Sequence, residues 1–246
     1  MNVLKETALQ PELKVLAVIP AYNEANHIVS IIKDTWRYVD QILVIDDGST
    51  DGTGEIAARA GATVIKHDRN QGKGAAIDHA FEVARGIQPA AMVLLDGDGQ
   101  HDPAEIPSLL EPVLNGEADM VVGSRFLRDN RIPKYRMLGL TILTLATNIG
   151  TGIRISDTQS GFRSFSQQAI NKMSFRESGF AVESEMQFKA SQYNLKVAEV
   201  PIATNYDEKV KRNPVAHGFG VLFRVVNLIW NNSFQIPLEV SKSISK

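Results

Sequence analysis

Asp96 and Asp98 follow directly on the apolar run Ala91 to Leu95, and Gln100 stands two residues further on. While the chain stays extended, alternate side chains point to one side, so these three oxygen donors can converge. Oxygen ligands are hard-cation ligands. They suit Mg2+ or Mn2+, which keep some of their waters and grip a substrate's phosphates. Alone, such a triplet is usually a turn or a helix cap; its place after an apolar strand and beside a glycine loop gives it weight. "HDRNQGKGAA", residues 67–76, offers glycine amides and Lys73 at a helix start, a place that favours anions. It lacks the order of a Walker loop, and a plain turn at Gly72 and Gly74 is the competing reading. Another group is cationic: Arg125, Arg128, Arg131, Lys134 and Arg136 crowd one stretch ahead of an uncharged segment. Arginine's planar fork suits phosphate, against the plainer reading of a solvated basic loop. Glu183 and Glu185 are the nearest candidates for a general base, or else form salt bridges on a helix face.

Chemistry of this kind needs a frame that brings distant segments together. The first half alternates strand and helix: "KVLAVIPAYNE", a helix from Ala25 to Trp36, "QILVIDDGSTDGT", and a helix to Ala60. Next come "ATVIKHDRNQGKG", a helix from Ala75 to Arg85, the strand "AAMVLLD", a helix from Glu105 to Leu114 and the strand "DMVVGSR". Ala76, Ile77, Ala80, Phe81 and Ala84 share one face of the third helix. Strands this apolar, separated by helices, predict an α/β fold with a mostly parallel sheet covered on both faces. Ligands of such sheets bind at the strands' carboxyl ends, and those ends read "PAYNE", "DDGSTDGT", "HDRNQGKG", "DGDGQHD" and "GSR". Beyond Arg125 the pattern predicts a helix over 137–153, a polar segment, a helix in "SGFAVESEMQFKASQ" and the strand "LKVAEVPI". The loop "NYDEKVKRNPVAHG" and an apolar-faced helix in "FGVLFRVVNLIWN" follow.

A chain of 246 residues, 43% hydrophobic and 22% charged, fits one domain over 15–235, with an extension at 1–14 and a tail at 236–246. A net charge of -2 argues against nucleic acid as a partner. Without cysteine there are no disulfides, thiolate metal sites or cysteine nucleophiles, and a cytoplasmic setting is expected. The opening residues lack the pattern of a secretory signal. Met137 to Ile153 carries no charge, but threonines, Asn148 and glycines interrupt it, so it reads as buried or interfacial and not as spanning.

"VIPAYNE", "VIDDGSTDGT", "RNQGKGAA", "LLDGDGQHDP", "VVGSR" and "DTQSGFRSF", in this order, resemble the inverting family 2 glycosyltransferases of the GT-A fold. Within that family they are most similar to the dolichol-phosphate mannosyltransferase group and its prokaryotic polyprenyl-phosphate relatives. The resemblance implies a nucleotide-sugar donor, with Pro20, Tyr22, Glu24 and Asp47 at base and ribose and Lys73 beside the phosphates. It also implies Mg2+ or Mn2+ on Asp96, Asp98 and Gln100, and an acceptor phosphate held by Arg125 and Arg136. Asp98, Arg125 and Arg136 are thus the expected catalytic residues. "GFAVESEM" and "NPVAHG" look more like prokaryotic glucosyl or N-acetylglucosaminyl relatives, so GDP-mannose, UDP-glucose and UDP-GlcNAc all stay open as donors.

A metal on the diphosphate would stabilise the leaving group. A lipid phosphate, with a second pKa of about 6, attacks as an ionised nucleophile and needs no strong base; a hydroxyl would need one. The expected enzyme therefore moves a hexose to dolichyl or polyprenyl phosphate from the cytoplasmic face of a membrane, as a peripheral protein, with a membrane-protein partner possible. C-terminal amphipathic helices complete the expected fold: the helix over 137–153 faces the membrane, while the last packs on the sheet or on the membrane. Two rivals remain: transfer to a saccharide or protein hydroxyl, and a non-catalytic sugar-nucleotide-binding subunit of a membrane complex.

Overall fold

The computed structural model describes residues 14–129, 134–179, 181–204, 224–226 and 228–229, with residues 134–136 as backbone only. The extension up to residue 13, the loop "NYDEKVKRNPVAHG", most of the last expected helix and the tail lie outside the described residues.

Seven strands form one sheet: β1 (Val15–Ala21), β2 (Gln41–Asp46), β3 (Thr63–Lys66), β4 (Ala91–Leu94), β5 (Met120–Ser124), β6 (Arg163–Ser166) and β7 (Val197–Pro201). Their order is β3-β2-β1-β4-β6-β5-β7. Only β6 runs against its neighbours, so β1 to β5 and β7 all end at the same edge. The strand order reverses beside β1, whose carboxyl end lies between those of β2 and β4. A parallel sheet opens a crevice at such a switch point.

Both faces of the sheet are covered, as the apolar strands require. Val15, Ala17, Ile19 and Ala21 pack towards α1 (Ile28–Thr35) and α4 (Ile106–Leu114). The alternate residues Leu16 and Val18 pack towards α3 (Lys73–Ile87) and α7 (Val182–Gln192). The expected face of α3 is fully inside, from Ala76 at 1% exposure to Phe81 at 0%. Phe81 lies edge-on to Phe165 and Phe175, with ring centres 5.0 and 4.9 Å apart. Removing such a ring from a core costs about 3–5 kcal/mol.

Several boundaries differ from the sequence expectation for local reasons. α1 begins at Ile28 instead of Ala25, because the amides of Asn23, Glu24 and Ala25 bond sideways to Ser49, Thr53 and Asp51. α3 begins at Lys73, two residues early. The segment read simply as polar contains β6 and the short helix α6 (Gln167–Lys172). Its letters mislead because Arg163 and Ser164 are fully buried while bonded to carbonyl groups, Arg163 to Ser160 and Thr158 and Ser164 to Leu109.

α5 (Lys134–Thr151) has a mixed inner face, Leu143 packing with Ala181 and Val225 beside three threonines. Thr144, Thr147 and Thr151 are buried and bonded to Thr158, Ser184 and the Thr147 carbonyl. Leu138, Ile142, Leu145 and Ile149, spaced so as to share one helix face, are 66%, 46%, 60% and 73% exposed. Among the described residues no helix is long and apolar enough to cross a membrane.

Candidate active site

The first two loops of the carboxyl edge are stitched together. Asn23 N–H donates to Ser49 Oγ at 3.0 Å, Glu24 N–H to Thr53 Oγ1 at 2.9 Å, and Thr50 N–H returns a bond to Asn23 Oδ1 at 3.0 Å. This stitching fixes Tyr22 and Glu24 just past β1, with Tyr22 40% exposed at the crevice. Pro20 lies within β1, opposite Ile45 of β2.

Asp47, after β2, is buried and already engaged within the chain. Its Oδ1 accepts from Gln71 N–H at 2.9 Å and from His67 Nδ1 at 2.8 Å, and its Oδ2 accepts from Gly72 N–H at 2.8 Å. The helix start at α3 is therefore an anion site, as the glycine loop suggests, but the anion that fills it is Asp47. Gly74 N–H is used too, by the Ser178 carbonyl at 2.9 Å. A side chain at Gly74 would run into the Glu177 carbonyl, so this close approach needs glycine.

Lys73 reaches across the crevice. Its Nζ lies 2.7 Å from Asp96 Oδ1, past the end of β4, and 2.7 Å from Glu183 Oε1 in α7. Burial alone would lower the Lys73 pKa, but the two carboxylates outweigh burial and raise it. For Asp96 burial pushes upward, and Lys73, by charge and hydrogen bond, together with His101 and Arg125 more than reverses it. Gly161, just before β6, leaves room for the pair: a Cβ there would sit 2.6 Å from Asp96 Oδ2 and 3.0 Å from Lys73 Nζ. Lys73 and Asp96 keep 15% and 22% of their side-chain surface, so the pair lines the crevice and is not sealed beneath it.

Asp98 has the opposite electrostatic balance. Burial and the neighbouring Asp96 charge both raise its pKa, and a nearby cation would offset both effects. Gln100 folds back on it, with Nε2 donating to Asp98 Oδ2 at 2.9 Å and the backbone N–H to Oδ1 at 3.1 Å. His101 closes the turn, stacked on Phe162 at 4.9 Å, and its Nδ1 accepts the Asp96 N–H at 3.2 Å. Burial lowers the His101 pKa against the pull of Asp96 and Asp98, in keeping with its role as an acceptor. Among the described residues no three His, Cys, Asp or Glu side chains could hold a metal by themselves. Two carboxylates and an amide oxygen nevertheless suit a Mg2+ or Mn2+ whose remaining ligands are water and substrate phosphate.

Arg125, past β5, arrives at the same edge. Its Nε and Nη2 grip Asp157 at 2.6 and 2.7 Å in a two-pronged pair, with Asp157 fully buried. The loop carrying Asp157 is itself tied down: Glu199 of β7 accepts from the amides of Ser156 and Asp157. Arg163 binds the carbonyls of Ser160 and Thr158 from below. Burial lowers the Arg163 pKa to about 10, against the opposing pull of Glu183, Asp157 and Glu199.

Asp96, Lys73, Asp98, Gln100 and Arg125 thus share one edge with Tyr22, Glu24 and Asp47. The Lys134 and Arg136 side chains lie outside the described residues, as does Arg131. Arg128 points away, 56% exposed, to Glu105 at 2.6 Å. Neither base candidate stands unengaged. Glu183 pairs with Lys73, and Glu185 accepts from the amides of Arg176 and Glu177. Sequence reasoning missed Asp157 as the Arg125 partner, although it quoted the "DTQSGFRSF" stretch that contains it, and it missed the imidazoles His67 and His79 behind Asp47.

Residues 16–178 match the family described as Glycosyl transferase family 2. This chain belongs to that family. It is 30% identical over 236 residues to the UDP-N-acetylglucosamine–dolichyl-phosphate N-acetylglucosaminyltransferase of Methanococcus voltae, covering 86% of this chain and 94% of the relative. It is 30% identical over 206 residues to the undecaprenyl-phosphate mannosyltransferase of Micrococcus luteus, covering 77% and 83%. Glucosyl-3-phosphoglycerate synthase from Mycobacterium tuberculosis, crystallised with Mn2+, UDP and phosphoglyceric acid, superposes with a TM-score of 0.73 at 22% identity, over 89% of this glycosyltransferase and 79% of that chain. Such likeness shows the GT-A fold for this glycosyltransferase.

Proposed function

We propose that this glycosyltransferase moves a hexose from a nucleotide sugar to a polyprenyl phosphate, in a single inverting displacement. One observation carries the choice of acceptor: α5 exposes Leu138, Ile142, Leu145 and Ile149 as one aliphatic face, directly after the run of basic residues that ends in Arg136. A phosphate on a hydrocarbon chain needs both, a cationic head site and an apolar track leading from it. The relatives named for dolichyl and undecaprenyl phosphate support the same reading.

In this reading the nucleoside lies along Pro20, Tyr22 and Glu24, with Asp47 serving it from behind by holding the turn at Gln71 and Gly72. Asp96, Asp98 and Gln100 hold Mg2+ or Mn2+, which supplies charge stabilisation for the departing diphosphate. Lys73 keeps Asp96 ionised and aimed. Arg125, braced by Asp157, and Arg136 hold the acceptor phosphate, which is ionised near neutral pH and asks for no base. The engagement of Glu183 and Glu185 fits this, since a hydroxyl acceptor would need one of them released. The α5 face supports peripheral attachment to a membrane, which this reading places on the cytoplasmic side, and it also leaves room for a membrane-protein partner.

The test offers GDP-mannose, UDP-glucose and UDP-GlcNAc, each with a radiolabelled sugar, together with a short polyprenyl phosphate and Mn2+. Label should enter the organic phase from one donor, and NMR of the product should show a β linkage from an α-linked donor. Transfer only to a soluble saccharide or phosphorylated acid would replace this reading.

A further inference from the structure

Behind the crevice, away from Asp98, two imidazoles stand in series with Asp47. His67 follows β3 and is buried; its Nδ1 lies 2.8 Å from Asp47 Oδ1, and its Nε2 lies 2.9 Å from His79 Nδ1. The two rings lie edge to edge, nearly in one plane, with their planes 6° apart and their centres 5.2 Å apart. Beyond them a cavity of about 330 Å³ is lined by Gln71, Asp78, Glu82 and Arg176 as well as both histidines.

Hydrogen-bond bookkeeping fixes the tautomers. Asp47 accepts two backbone N–H bonds, so it serves as acceptor towards the imidazole as well, and His67 Nδ1 carries the hydrogen. The Nε2 of a neutral His67 then has only a lone pair, and His79 Nδ1–H must donate to it. Each link orients the next: His79 the His67 ring, His67 the Asp47 carboxylate, and Asp47 the amides of Gln71 and Gly72. Lys73 is the next residue, and it holds Asp96.

We propose that His67 is a positioning residue for donor binding, which fixes through Asp47 the turn that delivers Lys73 to Asp96. The proposal rests on the reading that the Lys73–Asp96 edge receives the donor. An unanchored turn would spend part of its time misplaced, and apparent affinity falls in proportion to the competent fraction.

Two replacements separate this role from mere packing. The amide of asparagine falls where Nδ1 of histidine stood and can still donate to Asp47. That of glutamine falls nearer Nε2 and reaches His79 instead. Native-state hydrogen exchange of the Gln71 and Gly72 amides, read by NMR, needs no substrate. It should accelerate roughly tenfold in His67→Gln and return close to the wild-type rate in His67→Asn. The KM for the transferred nucleotide sugar should rise about fivefold to tenfold in His67→Gln, with kcat within about twofold, and recover in His67→Asn. Wild-type exchange in His67→Gln, or asparagine no better than glutamine, overturns the proposal; so does a fall in kcat at unchanged KM. A wild-type protein that transfers no sugar to polyprenyl phosphate sinks the acceptor reading alone, since the exchange measurement still tests the clasp. Should the glutamine variant fail to fold, imidazole 15N shifts of the wild type decide: the proposal requires hydrogen on Nδ1 of His67 at mildly alkaline pH, and hydrogen on Nε2 overturns it.

Discussion

Around β1, β2 and β4 the polar side chains of the sheet edge are tied to one another, whereas beyond β5 the chain turns aliphatic side chains outward. On the first side Asp47, Lys73, Asp96 and Glu183 have partners within 2.9 Å. On the second side α5 buries Thr144, Thr147 and Thr151 and shows water Leu138, Ile142, Leu145 and Ile149. A highly charged diphosphate and a flexible hydrocarbon chain make opposite demands. A charge in a partly buried crevice must be met by groups already in place, because reorganising them during the reaction costs rate. A lipid tail needs only apolar area, and the more accessible the better. The contrast is what the proposed function asks for, with a donor taken from water and an acceptor from a membrane.

The largest expected effect lies on the pre-ordered side. Asp98→Ala should leave the fold intact while lowering transfer about 10²–10³-fold, the usual loss when one preorganised electrostatic group is removed from a reacting centre. Calorimetry of donor binding with and without Mn2+, beside transfer rates, checks it. Next comes Lys73→Met, which strands Asp96 and Glu183 together. Breaking a buried ion pair from one end costs about 3–5 kcal/mol; with Asp96 still 22% exposed, about 3 kcal/mol is expected, read as a lower urea midpoint. Adding Glu183→Gln should return part of that loss. If the single variant is as stable as wild type, the first side is less tightly bound together than the contacts imply.

Reading the sequence alone reached these two sides unequally. β1 to β5 were legible because their apolar runs repeat at the spacing of βαβ units, and Asp96 and Asp98 because carboxylates straight after an apolar strand have no use in a core. β6 was not, since Arg163 and Ser164 look like surface residues and only their buried carbonyl partners make them strand residues. The anion at the α3 start was foreseen in kind and missed in identity: glycine amides and a lysine announce an anion without saying that Asp47, more than twenty residues upstream, supplies it. In α5 three of the threonines read as interruptions, Thr144, Thr147 and Thr151, turned out to lie on its buried face, beside Leu143.

Arg136→Ala carries the comparison to the second side. A charge-assisted phosphate contact is worth about 1.5–3 kcal/mol, so use of polyprenyl phosphate should weaken roughly tenfold or more while donor affinity holds. Arg136→Lys should recover part of it, keeping the charge and losing the fork. Rate against polyprenyl phosphate concentration for the three proteins decides, and normal lipid use by the alanine variant would return the site to the saccharide reading.

The smallest effect is the one most specific to the exposed aliphatic face of α5. Leu145 is 60% exposed, so Leu145→Ser removes little from the core and should shift unfolding by no more than about 0.5 kcal/mol. Burying a leucine side chain fully contributes about 1.5–3 kcal/mol. Part of it is already covered, so membrane transfer of Leu145 stands near the low end, and binding to vesicles of anionic lipid should weaken about fivefold to tenfold. Thr144→Ala, one residue away but facing inward and bonded to Thr158 at 3.2 Å, should do the reverse: about 1 kcal/mol less stable, with vesicle binding unchanged. Adjacent positions with crossed phenotypes follow from a helix that buries Thr144 and turns Leu145 outward. Equal vesicle binding by Leu145→Ser and wild type would mean that the aliphatic face of α5 meets something other than lipid.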